Sequence, residues 1–159
     1  MNEQTMQGVL MRWALDIKQH KVALPNINGM YPSWEADLLA VTAADLVHEF
    51  EIKITRSDFL ADAKKERKHW CLSCPEMCKV PNYFWYAIHG FSLDENDVPP
   101  YAGLIVVEKT GFTFPYAVNV IKVAPRIHGE KIHNRDKRSM VTWLSYKLKK
   151  AYLQQYVQD

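Results

Sequence analysis

The sequence of 159 residues lacks several features that mark specialised classes of protein. No apolar run approaches the ~18 residues that a membrane-spanning helix needs, so we expect no membrane partner. The N-terminus has neither the basic start nor the long apolar centre of a signal peptide, so we expect a cytoplasmic protein. Internal repeats and low-complexity tracts are also absent. This length and composition predict a single domain over residues 1–159.

Cysteine is scarce, and the three cysteines lie close together in the chain. An odd number in a chain without a leader argues against a framework of disulfides. His69, Cys71, Cys74 and Cys78 have the spacing H-x-C-x2-C-x3-C, a set of side chains that zinc accepts. Structural zinc sites usually use two separated pairs of ligands, which favours free buried thiols. A second metal site at the cysteines is the alternative.

Net charge is also small, at +2, but its distribution along the chain is uneven. Residues 122–150 hold nine Lys or Arg against two acids, an excess of +7, whereas residues 1–58 hold eight acids against five bases, or −3. This asymmetry suits a protein that binds a polyanion with one region and a cation with the other. Taken alone, the basic region is better explained as a solvated surface helix.

The order of periodic segments predicts an α/β (α+β) fold, with one mixed β-sheet flanked by helices. A core of about residues 4–123 should precede a basic C-terminal helix of about residues 136–156. The aromatic run NYFWYAIH predicts a central strand. The predicted helices cover 4–20, 57–72 and 136–156, and the strands lie near 26–31 and at 34–41, 46–54, 82–89, 103–109 and 117–123.

Charged residues alternate with apolar ones in the strand predicted at 46–54. Because successive strand side chains point to opposite faces, Glu49, Glu51 and Lys53 share one face, and Phe50 and Ile52 share the other. A Glu-x-Lys pattern arises about once by chance in a chain of this length. The charged face is therefore either solvated or a functional site.

The register of the hairpin decides whether Asp37 joins that face. Opposed residues in an antiparallel pair have numbers that add to a constant. A two-residue turn pairs Thr42 with Asp45, a sum of 87, and separates Asp37 from Glu51. A three-residue turn at 43–45 gives 88 and places them opposite each other. That turn requires a left-handed residue, which Asp45 can supply, and both registers remain open.

In the second register, two carboxylates and an ammonium meet on adjacent strands. Carboxylates opposed at Cβ separations of ~4.5–5.5 Å repel each other unless a cation lies between them. Oxygen ligands suit Mg²⁺, so Asp37 and Glu51 would chelate one ion. Lys53 would then hold a water or stabilise charge developing on a phosphate. This set predicts metal-dependent hydrolysis.

The layout of helix, strands, Asp37, the tripeptide EIK at 51–53 and a following helix resembles the PD-(D/E)xK nuclease superfamily. More narrowly, EIKITRSDFLADAKKERKHW followed by PNYFWYAI is similar to MmcB-like DNA-repair proteins and related small phage-encoded nucleases. The similarity covers residues 34–90 well and is weaker beyond. The proline that precedes the first acid in the superfamily motif is replaced by Ala36.

This resemblance implies a restriction-endonuclease-like core and a nuclease that hydrolyses DNA phosphodiesters, in DNA repair or phage DNA metabolism. It implies Asp37 and Glu51 as metal ligands for Mg²⁺ or Mn²⁺, and Lys53 as the catalytic lysine. Asp58 and Asp62 match the helix motif without an assigned role. The alternatives are a DNA-binding repair factor with a slow or silent site, and a cysteine-based metal-binding module.

A dense basic run follows the predicted site on the 57–72 helix. In a nuclease these side chains would contact phosphates near the scissile bond. The other interpretation is a solvated helix face, with a helix-end histidine that is favoured by the helix dipole. The residues predicted to bind nucleic acid are Arg56, Lys64, Lys65, Lys68 and His69.

Overall fold

One sheet organises the chain in the computed structural model, which describes residues 1–28 and 32–156. Within these residues the sheet has six strands, and their spatial order is the same as their order in the chain. The pairs β1–β2, β2–β3 and β5–β6 are antiparallel, and β3–β4 and β4–β5 are parallel. The strands are β1 (Val22–Ile27), β2 (Ala36–Val41), β3 (Val47–Lys53), β4 (Tyr83–Ile88), β5 (Ala102–Lys109) and β6 (Tyr116–Lys122).

Helices flank this mixed sheet, as the sequence predicts for an α+β fold. The first, α1 (Glu3–Arg12), begins where the Asn2 side chain accepts a hydrogen bond from the Thr5 backbone N–H, and it continues as a π-helical turn over Trp13–Ile17. The others are α2 (Arg56–Asp62), α3 (Glu66–Ser73) and α4 (Asn134–Tyr156), with a short 3₁₀ turn at Pro75–Met77. No helix in the described part of the chain is long and apolar enough to cross a bilayer.

The predicted central strand is confirmed. The β4 strand pairs with β3 on one side and β5 on the other, and five of its six residues are buried. The parallel strands β3 and β4 form the middle of the sheet. Since β3 carries the Glu-x-Lys pattern, the candidate residues lie on a strand that is hydrogen-bonded to a neighbour on each side.

The first strand differs from the prediction near residues 26–31. The β1 strand begins earlier, at Val22, and ends at Ile27, while residues 29–31 lie outside the described residues. Pro25 fits within β1 because β1 is an edge strand, where a residue without an N–H donor is tolerated. Asn26 adopts a left-handed φ of 51° within the strand.

The predicted 57–72 helix is wrong as a single element. It is divided into α2, capped by the Thr55 side chain, and α3, with a break at residues 63–65. Neither Gly nor Pro occurs between residues 56 and 73 to signal the break. At the break, the Lys64 and Lys65 N–H groups bond to the Ala61 and Asp62 carbonyls, a tighter turn than an α-helix makes.

The two faces of the sheet bury different types of side chain. On one face α1 packs against an apolar cluster that includes Leu38, Phe50, Ile52 and Trp85. On the other, α3 packs over β4 and β5 through Cys71 and Leu72, and the start of α4 packs over β1 and β2. The alternate residues of β3 that point to this second face are Glu49, Glu51 and Lys53.

Candidate functional site

The β2–β3 hairpin has the register that brings the two candidate carboxylates together. Its pairs are Leu38 with Phe50, Leu39 with Glu49, Ala40 with His48 and Val41 with Val47, each of which sums to 88. The turn contains Asp45 in the left-handed conformation, with φ of 65°. Extending this register by one residue places Asp37 opposite Glu51. The three-residue turn is thus confirmed.

The charged face of β3 is buried, so its interpretation as a solvated strand face is wrong. Glu49, Glu51 and Lys53 are 0%, 2% and 4% exposed. Buried charges are strongly unfavourable unless they are paired or neutralised. The surrounding helices must therefore supply partners.

Glu51 lies at the centre of those partners. Lys53 Nζ and Lys65 Nζ lie 2.9 Å and 2.8 Å from its Oε1, and Lys68 Nζ lies 2.5 Å from its Oε2. Burial alone would raise the pKa of Glu51, but the positive charges of Lys68 and Lys53 lower it below its ordinary value. Glu51 is therefore an ionised carboxylate that contacts three ammonium groups.

Asp62 at the end of α2 is a second acid that contacts these lysines, and the sequence predicts no role for it. The buried charged cluster consists of Glu49, Glu51, Lys53, Asp62, Lys65 and Lys68. Its Oδ1 lies 2.8 Å from Lys65 Nζ, and its Oδ2 accepts a 2.6 Å hydrogen bond from the Tyr86 hydroxyl. Although burial opposes ionisation, contacts with His69, Lys68 and Lys65 hold its pKa below the usual range. Its spacing from Lys65, three residues along the chain, was the available sequence signal.

Glu49 is enclosed more completely than any other acid of the cluster. It accepts a 2.8 Å hydrogen bond from Trp34 Nε1, and Lys68 Nζ lies 3.4 Å from the same oxygen. Its second oxygen, Oε2, has no hydrogen-bond partner among the described residues. Burial raises the pKa of Glu49 to about 7, with only partial compensation from Lys68.

Asp37 lies at the end of the β2–β3 ladder. Its Oδ2 accepts a 2.8 Å hydrogen bond from the Ile52 N–H, and its carbonyl accepts one of 3.1 Å from Gln7 of α1. Burial and the negative charge of Glu51 raise the pKa of Asp37 to about 6. Burial makes the larger contribution to this rise, and the like charge of Glu51 adds to it.

The residues predicted to contact nucleic acid fall into two groups. Arg56 and Lys64 are exposed, as a phosphate contact requires. Lys65 and Lys68 instead pair with Glu51, and Lys68 is only 5% exposed. His69 bonds through Nε2 to the Asp62 carbonyl at 2.7 Å and through Nδ1 to the Tyr101 hydroxyl at 2.5 Å. Its interpretation as a helix-end histidine is also wrong, since it lies inside α3.

The cysteines are not three free thiols. Cys71 and Cys78 form a disulfide that joins α3 to the segment after the 3₁₀ turn, and Cys74 is free. That turn, over Pro75–Met77, brings the two sulfurs together. Disulfide sulfurs are not thiolates, so in this form Cys71 and Cys78 cannot ligate a metal with Cys74.

Asp37 and Glu51 supply the type of donor that a hard cation prefers, but both oxygens of Glu51 already contact lysine ammonium groups. Carboxylate oxygens are the ligands that Mg²⁺ and Mn²⁺ prefer, and Mg²⁺ commonly keeps several waters. The described residues contain no group of three or more His, Cys, Asp or Glu side chains able to enclose a metal ion. An ion here would therefore have two protein carboxylates and otherwise solvent or substrate oxygens.

Comparison with known proteins adds information on the fold. No family model and no curated protein matches the chain. Among solved structures, it is similar to the SPO1766 protein of unknown function from Silicibacter pomeroyi, with a TM-score of 0.57 and 18% sequence identity. The similarity covers 96% of this chain and 88% of that one. At this identity, the two proteins share a fold, and activity has to be argued from the site.

Proposed function

We propose that the protein is a metal-dependent nuclease that hydrolyses DNA phosphodiester bonds at Asp37, Glu51 and Lys53. The observation that carries this proposal is the register of the β2–β3 hairpin. Extended by one residue, this register sets Asp37 opposite Glu51, and Lys53 Nζ lies 2.9 Å from Glu51 Oε1. The likeness to the PD-(D/E)xK superfamily supports the same assignment.

In this proposal the protein's own groups have separate roles. Asp37 and Glu51 would hold Mg²⁺ or Mn²⁺, which when bound supplies an activated water and a counter-charge for the phosphate. Lys53, held 2.9 Å from Glu51, would position that water and stabilise negative charge as it forms on phosphorus oxygens. Burial strengthens both electrostatic effects, because the local dielectric is lower than that of water.

The direct test is cleavage of labelled single- and double-stranded DNA in Mg²⁺ or Mn²⁺ by the wild type and by Lys53→Met. We expect the substitution to lower the single-turnover rate by ~10²–10³, the usual effect of removing one transition-state contact. Lys109→Met, which removes an exposed ammonium group of β5 outside the cluster, is the matched control. Equal activity in wild type and Lys53→Met would exclude the proposed role.

A second candidate is a DNA-binding repair factor with a slow or silent site. The three ammonium groups around Glu51 favour it, because they neutralise the carboxylate without a metal. Lys65 is 53% exposed and can move into solvent, whereas Lys68 is buried. DNA binding without cleavage in either metal, unchanged by Lys53→Met, would select this candidate.

A further inference from the structure

A groove along α4 lies outside the cluster and has a different composition. It has a volume of about 670 Å³ and follows α4 from Asn134 to Tyr146, which is ~18 Å at 1.5 Å per residue. Among the described residues, its lining includes two guanidinium groups, two aromatic rings and three hydroxyl groups, and no carboxylate. A groove of this length suits an extended polymer better than a compact small molecule.

The cations of the groove are available to a ligand. Arg135 and Arg138 are both exposed, and neither forms an ion pair with a carboxylate in the part of the chain that the structure describes. The one acid of α4, Asp136, is buried and pairs with Lys79 at 2.8 Å. Across its length α4 carries six Lys or Arg against this single acid, a difference of +5. The groove therefore attracts polyanions.

An exposed ring accompanies these cations. Tyr146 is 68% exposed, and among the described residues no aromatic ring stacks on it. Trp143, the other ring, packs against the core under α4 and has the Lys147 ammonium 4.9 Å from its ring centroid. Guanidinium groups beside an open aromatic ring are the combination that holds single-stranded nucleic acid, through phosphates and unstacked bases. Bases in a duplex are already stacked and cannot use the ring.

The groove also leads toward the candidate site. Its wall opposite α4 includes Asn28, which directly follows Ile27 at the end of β1. Ile27 pairs with Ala36, the neighbour of Asp37. Asn28 and Asp37 thus lie at the same end of the sheet, and α4 packs over β1 and β2 on the face that carries Glu49 and Glu51.

We propose that this groove binds single-stranded nucleic acid and directs it to the site at Asp37 and Glu51. Arg135 and Arg138 contact phosphates, and Tyr146 stacks on a base. Delivery of the bound nucleic acid to the site for cleavage rests on the proposed function, but binding in the groove is independent of cleavage. It names single-stranded over double-stranded nucleic acid as the preferred ligand.

The test measures the binding of fluorescein-labelled oligothymidine by fluorescence anisotropy in EDTA, where a metal-dependent nuclease cannot cleave. We expect Arg135→Gln/Arg138→Gln to weaken binding and to reduce the slope of log K against log salt by about 1.4, or ~0.7 for each lost phosphate contact on a single strand. The control Lys18→Gln/Lys109→Gln removes two exposed ammonium groups elsewhere and should leave both quantities unchanged.

Tyr146→Ala separates stacking from charge. It should weaken oligothymidine binding about tenfold and leave duplex binding unchanged, since only the single strand offers unstacked bases. Tyr152→Ala, an exposed tyrosine of α4 outside the groove, is its control. Equal effects of the two double variants, or full binding by Tyr146→Ala, would overturn the proposal. So would a wild type that binds duplex as tightly as the single strand.

These outcomes are distinct from those of the cleavage test. Binding with the expected variant pattern, but without Lys53-dependent cleavage, would reject the nuclease and retain the groove. Lys53-dependent cleavage with unchanged binding by Arg135→Gln/Arg138→Gln would reject the groove alone. The side chains substituted in the binding test are all exposed, so circular dichroism should show the native fold in each of those variants.

Discussion

The two faces of strand β3 use alternate residues of the same seven-residue segment for opposite chemistry. Toward α1 the strand presents Phe50 and Ile52 to a closely packed apolar cluster. Toward α2 and α3 it presents Glu49, Glu51 and Lys53, all buried, with Lys65 and Lys68 as partners. Both faces exclude water, but only the first does so with side chains that favour burial.

This difference separates residues that stabilise the fold from residues that the fold tolerates. Burying apolar area contributes ~25 cal/mol per Å². A buried ion pair contributes little net stability, since desolvation offsets most of the attraction, and apolar residues of similar volume often do as well. Folding alone therefore explains the α1 face and leaves the charged face unexplained. The proposed site, which needs ionised groups in a low dielectric, would account for it.

The largest expected effect comes from removing the buried cation of the charged face. Lys68→Met should lower the free energy of unfolding by about 3–5 kcal/mol, because Glu49 and Glu51 lose their shared partner without access to water. Lys65→Met is the matched control. It removes a partner of the same Glu51, but the side chain is half exposed, so the loss should be at most about 1 kcal/mol.

Urea unfolding of the two variants at neutral pH measures both values. Similar losses in Lys65→Met and Lys68→Met would show that burial does not distinguish the two lysines. The charged face would then be more solvated than its side-chain exposures indicate, and the comparison between the faces would fail.

A smaller effect, dependent on pH, is expected from the α1 side. His48 stacks on Tyr83 and accepts a 3.1 Å hydrogen bond at Nδ1 from Trp85 Nε1, so its neutral form is the one that fits. Burial, with a contribution from the nearby charge of His20, lowers the pKa of His48 to about 3. Since the unfolded state binds the proton more tightly, this contribution is present above pH ~6.5 and is lost as pH falls toward 3.

The stability of wild type should consequently decline, relative to His48→Gln, by at most about 1.4 kcal/mol per pH unit below pH 6.5. The raised pKa of Glu49 makes stability change with pH in the opposite direction to His48, and it does so in both proteins. The difference in stability between the two proteins therefore isolates the effect of His48. Parallel stability curves for wild type and His48→Gln from pH 7 to pH 4.5 would mean that His48 is hydrated in the folded state.

Several parts of the fold could be predicted because local chemistry determined them. Asp45 permitted the left-handed turn, and the turn fixed the register that sets Asp37 opposite Glu51. The run at 82–89 is apolar on both faces, which suits a central parallel strand.

Other parts depended on tertiary contacts that no local pattern encodes. The break after Asp62 has no Gly or Pro to mark it. The burial of Lys65 and Lys68 against Glu51 depends on how α3 crosses the sheet, so a basic run expected to face phosphates neutralises acids instead. Likewise, the disulfide depends on the turn between Cys71 and Cys78.

The central claim is that Asp37 and Glu51 together form a site for a divalent cation, and Mn²⁺ binding tests it without any assay of activity. Titration followed by electron paramagnetic resonance should show one Mn²⁺ site in the wild type. Asp37→Asn and Glu51→Gln should each lose this site, and Lys53→Met should keep it, because the ion is held by oxygens. Equal Mn²⁺ binding by wild type and Asp37→Asn, or no binding by the wild type, would contradict the account.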